Sequence, residues 1–101
     1  MSRRKTAGVL LTARQRARIR VLARRHGAEK VRLFGSAARG EAGPESDFDL
    51  LVRMRSGRSL LDFVALWQEL ETALGRHVDL VSEAGLSPYL RAGILKEARP
   101  L

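Results

Sequence analysis

Cysteine is absent from the 101 residues, which excludes disulfides, thiolate zinc sites, iron–sulfur ligation and a cysteine nucleophile together. Histidine occurs twice, at His26 and His77, too rarely to build a histidine metal centre. No apolar run approaches the ~18–20 residues of a membrane span. The start, Met1 to Lys5, is basic, but the apolar residues after it run only from Ala7 to Leu11 before Arg14, which does not support a secretory leader. The chain is therefore read as cytoplasmic, with no membrane partner.

What is present fits a soluble globular protein: 45% hydrophobic and 30% charged residues. A second core would need roughly 50 more residues, so residues 1–101 are read as a single domain. A domain this small buries only about 60–65% of the surface its unfolded chain exposes, so a partner completing a hetero-oligomer is expected.

The net charge of +8 is unevenly spread. Residues 1–32 hold eleven Lys or Arg against a single acid, Glu29, whereas residues 33–101 hold eight against ten. No aromatic residue interleaves with the cations of the first third. That basic segment is read first as a solvated or docking helix; RNA, DNA or an acidic protein surface remains open as its partner, with nucleic acid not favoured.

Thr12 with Gln15 forms a capping-box pattern, and Gly27 suits the residue past a helix end, which predicts a helix from Ala13 to His26. Its apolar positions Ile19, Leu22 and Ala23 make one narrow face. Lys30 to Phe34 alternates polar and apolar, predicting a strand that stops at Gly35 and leads into a helical turn from Ala37 to Arg39. Asp47 to Met54 reads as a second strand, with Asp47 and Asp49 on one face and Phe48, Leu50 and Val52 on the other. Ser59, Asp62 and Gly75 bracket a core helix from Leu60 to Leu74, on which Glu71 is a polar intruder among Leu60, Phe63, Val64, Trp67, Leu70 and Leu74. His77 to Val81 reads as a third strand with His77 as a surface residue flanking it, and Ser87-Pro88 opens a last helix from Tyr89 to Ala98. These elements predict an α/β (α+β) fold, a small mixed sheet of about three strands packed with about four helices.

Three acids fall on predicted strands: Asp47, Asp49 and Asp79. Carboxylates side by side on strands repel, so such a cluster calls for a cation. Hard oxygen ligands point to Mg²⁺ or Mn²⁺ rather than zinc. Side chains two residues apart on a strand are roughly 6.5–7 Å apart at the backbone, near enough to hold metals about 3.5–4 Å apart. Upstream, Phe34-Gly35-Ser36 turns from strand to helix, offering backbone N–H groups and a hydroxyl to a phosphate. Together these residues describe a nucleoside-triphosphate site.

Gly35-Ser36-Ala37-Ala38-Arg39-Gly40 through Ser46-Asp47-Phe48-Asp49-Leu50 resembles the GS-x10-D-x-D signature of the DNA polymerase β-like nucleotidyltransferases. In particular it is similar to the minimal nucleotidyltransferases, the MNT-type antitoxins paired with HEPN-type ribonuclease toxins, and Val78-Asp79-Leu80-Val81 matches the family's third carboxylate strand. The resemblance implies that Gly35 and Ser36 hold the nucleotide's β- and γ-phosphates. It further implies that Asp47 and Asp49 ligate two Mg²⁺ ions, and that Asp79 completes the second metal site and helps deprotonate the attacking hydroxyl. Arg39 is a further candidate phosphate contact. The implied activity is transfer of AMP from ATP to a tyrosine of a HEPN-type toxin.

Without the resemblance, a glycine turn and a strand-end acid account for the motif, Asp79 is an exposed acid, and Arg39 is a solvated helix residue. Arg20 and His26 match the Arg-x4–6-His spacing of HEPN ribonucleases, but sixteen arginines make that spacing recur by chance, and a HEPN domain is all-helical. Two other functions stay open at this point: a non-catalytic module that binds its partner or nucleic acid, and a nucleotidyltransferase acting on a small molecule.

Overall fold

The computed structural model describes residues 11–38 and 47–101. Thr12 starts the first helix, α1 (Ala13–Arg25): its hydroxyl accepts the Gln15 N–H at 3.0 Å while its own N–H donates to Gln15 Oε1 at 2.9 Å. The helix ends one residue earlier than the sequence suggests, because His26 serves as its C-cap and Gly27 takes a positive φ of 87°. Strand β1 (Ala28–Phe34) follows, then a single turn, α2 (Gly35–Ala38), and strand β2 (Phe48–Met54). Helix α3 (Leu60–Leu74) has the predicted bounds and is closed by Gly75 at φ 67°. After it come β3 (Val78–Ser82), a 3-10 turn (Glu83–Gly85), α4 (Pro88–Glu97) and a two-residue strand, β4 (Arg99–Pro100).

The sheet has four strands in the order β3-β2-β1-β4, one more than the sequence pattern suggests. Strand β4 is too short to show periodicity, and it pairs antiparallel with β1 through Arg99 and Pro100. Proline lacks an N–H to donate, so an edge strand is where it fits. Strands β1 and β2 are antiparallel; β2 and β3 are parallel, with α3 as the crossover.

Alternation along these strands sorts side chains onto two unlike faces. Val31, Leu33, Phe48, Leu50, Val52, Val78 and Leu80 meet Ile19, Leu22 and Ala23 of α1 and Leu66 and Leu70 of α3 in one core. On the other face the register aligns Arg32 with Leu51 and Leu51 with Val81. Leu51 is nonetheless buried, and Arg32 pairs with Glu83 of the 3-10 turn, both side chains less than one fifth exposed. Further along that second face lie Phe34, Asp49 and Asp79, again in one row.

Leu70 is fully buried and Leu61 is 79% exposed on the same helix. Leu70→Ala is expected to cost about 2–5 kcal/mol in urea unfolding, and Leu61→Ala no more than about 0.5 kcal/mol.

Candidate active site

Two pairings assemble the site. Phe34 stands opposite Asp49 in the antiparallel pair, which brings the next residue, Gly35, beside the start of β2. Asp49 stands opposite Asp79 in the parallel pair, so the two carboxylates project from the same face at the same level. Asp47 immediately precedes β2.

Gly35 has φ 71°, and a Cβ built there would lie 2.1 Å from Asp49 Oδ2 and 2.9 Å from its Cγ. Glycine is thus required twice, by the left-handed backbone and by the carboxylate lying against its Cα. The Gly35 N–H donates to Glu97 Oε1 at 2.8 Å, so the last residue of α4 places a second carboxylate on the same turn. Ser36 follows as the second residue of α2, and Arg39 lies outside the described residues.

Asp47, His77 and Asp79 form a half-exposed cluster whose candidate ligand atoms all lie within 4.8 Å of one another. His77 Nε2 is 3.4 Å from Asp79 Oδ1 and 3.8 Å from Asp47 Oδ2, so the imidazole stands between two like charges. Its Nδ1 is 2.8 Å from Glu71 Oε2. The same Glu71 oxygen accepts the Val78 N–H at 3.0 Å, and Trp67 Nε1–H donates to the Val78 carbonyl at 2.6 Å. Helix α3 therefore holds both backbone groups at the start of β3, one residue before Asp79. The Val78 N–H bond keeps the Glu71 carboxyl below the usual glutamate range, helped by His77.

Asp49 and Asp79 thus stand in one row with Gly35 against Asp49, and Asp47 joins Asp79 across His77. Three residues gain contacts that the sequence reading did not assign them. His77 does flank β3 at the surface, but between Asp47 and Asp79. Glu71, the intruder on an apolar helix face, is the bracket for β3. Glu97 ends a helix at its C-terminus, where the macrodipole disfavours an acid, and that misplacement was the available sequence signal.

Gly35→Ala should destabilise the fold by about 1–3 kcal/mol in urea unfolding, the cost of a left-handed non-glycine residue, with displacement of Asp49 added. Glu71 stabilises the folded state above its unfolded pKa of about 4.3, and that contribution is lost as pH falls through its lower folded value. Wild type should therefore exceed Glu71→Gln in stability at pH 7, with the gap closing below about pH 4, as followed by thermal melts.

Residues 17–101 match the family model described as Nucleotidyltransferase domain. The protein adenylyltransferase MntA of Thermococcus cleftensis is 41% identical over 76 residues, which span 75% of this chain and 77% of that protein. A solved structure provisionally described as a minimal nucleotidyltransferase superposes with a TM-score of 0.80 at 53% identity, covering 87% of this chain and 90% of the other. A toxin–antitoxin crystal structure with AMP-PNP superposes with a TM-score of 0.73 at 26% identity, over 84% of this chain and 70% of its counterpart. With the carboxylate row, the glycine turn and the shared fold all in place, this chain belongs to the nucleotidyltransferase domain family, in its minimal form.

Proposed function

We propose that this protein is an antitoxin that transfers AMP from ATP to a tyrosine hydroxyl of a HEPN-type toxin and thereby silences it. The observation that carries this reading is the register that lines up Asp49 and Asp79 beside the Gly35 turn. It is supported by the relative that is a protein adenylyltransferase and by the similar toxin–antitoxin structure with an ATP analogue.

The donor set suits a magnesium site: Asp47 and Asp79 lie close together around His77, Asp49 is aligned with Asp79 on the neighbouring strand, and hard carboxylate oxygens suit Mg²⁺. Asp47, Asp49 and Asp79 are the proposed ligands for two ions. When bound, Mg²⁺ would neutralise charge on the triphosphate and on the entering and leaving oxygens. The Gly35 N–H and the Ser36 hydroxyl are proposed to hold the β- and γ-phosphates, with Arg39 as a further phosphate contact. The acceptor oxygen attacks the α-phosphorus in line, the bond to the β-phosphate bridge breaks, pyrophosphate leaves, and Asp79 takes the hydroxyl proton. A phosphate on the Gly35 N–H takes the position now filled by the Glu97 carboxylate, so nucleotide and Glu97 compete for one donor.

Incubation with labelled ATP, Mg²⁺ and the cognate toxin should label the toxin. Asp49→Asn should slow labelling by about a hundredfold or more, as expected when several kcal/mol of transition-state charge stabilisation is lost. Toxin silencing that persists in Asp49→Asn without ATP would replace this reading with neutralisation by contact. Glu97→Gln keeps an acceptor but removes the charge, and should lower the KM for ATP several-fold with kcat maintained. A raised KM would instead make Glu97 a support of the turn.

A further inference from the structure

A concavity of about 500 Å³ lies between the C-terminal half of α1 and the start of β1, with Arg20, Arg24, Lys30 and Arg55 among its lining residues. It sits at the opposite end of the sheet from the carboxylate row. Strand β1 begins at the concavity with Ala28 and ends beside Asp49 at Phe34, six residues on and roughly 20 Å away at strand rise.

Its cations outnumber its acids. Among the described residues, the side chains of Arg20, Arg24, Lys30 and Arg55 have no hydrogen-bond or ion-pair partner, and all four residues are exposed. The one acidic side chain lining the hollow, Glu29, is 3.2 Å from Arg53, which lies outside it. The Leu101 carbonyl oxygen accepts from Arg16, also outside it, at 2.6 Å. Arg20 and Arg24 are one turn apart on the same helix face, where like charges repel and weaken the helix unless an anion joins them. The Arg55 backbone N–H donates to the Gly27 carbonyl at 2.8 Å, fixing its Cα against the α1–β1 turn. Four cations thus line one hollow whose single acidic side chain, Glu29, is already engaged by Arg53.

We propose that this hollow binds the phosphate backbone of single-stranded nucleic acid, at a site separate from the nucleotide-transfer centre. Guanidinium groups pair phosphate oxygens through two parallel N–H bonds, and three of the four cations are arginines. A folded acidic partner needs about 800 Å² of interface per side around an apolar centre, which a small charged hollow does not supply. A strand of phosphates fits it. No aromatic ring lines it, so the binding is to phosphates rather than bases and is independent of sequence.

Fluorescence anisotropy with a labelled single strand, about 20 nucleotides long, tests this across a salt series. RNA and DNA of one sequence should bind alike, because the phosphate chemistry is shared. Arg24→Glu with Arg55→Glu should weaken both by tenfold or more and make the salt dependence shallower by about 1.4 in log–log slope, two phosphate contacts' worth. The milder Arg24→Gln with Arg55→Gln should move in the same direction. Arg91→Glu with Lys96→Glu makes an equal charge change on α4 and should leave affinity within about threefold. Asp49→Asn should bind as wild type does, so the outcome is independent of the proposed transfer chemistry. Equal losses from the hollow and α4 pairs would overturn the proposal, as would poly-glutamate binding as tightly as RNA.

Discussion

Strand β2 is hydrogen-bonded on both sides, antiparallel to β1 and parallel to β3, and everything at the site depends on those two registers. A slip of one residue in either pairing would turn Asp49 or Asp79 into the core and bring an apolar side chain out to replace it. Burial prevents the slip. Phe48, Leu50, Val52 and Val78 are all completely enclosed beneath α1 and α3, so the alternation that hides them also holds the acids on the opposite face. The hydrophobic core thereby sets the geometry of a charged cluster that it does not touch.

Two unlike electrostatic problems are solved at the two ends of this sheet. At the end carrying Gly35, carboxylates crowd together and are restrained by positive or hydrogen-donating groups: the His77 imidazole between Asp47 and Asp79, and the Gly35 N–H on Glu97. At the end carrying Ala28, cations crowd together with few acids near them. Residues 1–32 carry the excess positive charge while the following residues are slightly acidic, and the hollow takes Arg20, Arg24 and Lys30 from the first segment and Arg55 from the second. A triphosphate with its cations suits the first end. A phosphate backbone suits the second.

Much of this was legible in the residues themselves. The Leu60–Leu74 helix shows both caps and helical spacing, and its bounds are as expected. The alternation of Asp47 to Val52 foretold the burial of Phe48, Leu50 and Val52 but not that of Leu51, which is buried on the opposite face. Family membership followed from the GS-x10-D-x-D spacing, and the fold agrees. Strand β4 escaped because two residues carry no period, and the 3-10 turn because its role is to place Glu83 on Arg32, a partner far off in sequence.

Local chemistry in the sequence determined the elements and their faces: caps, glycine turns and apolar spacing act over a few residues and need no distant partner. It also determined that acids would line one face of a strand. The tertiary structure decided which groups meet. Glu97 reaches Gly35 across 62 positions, His26 meets Glu69 across 43, and Glu71 brackets Val78 from the end of α3. Such contacts follow from how helices lie against the sheet, which is set by the fit of whole apolar faces rather than by any short pattern.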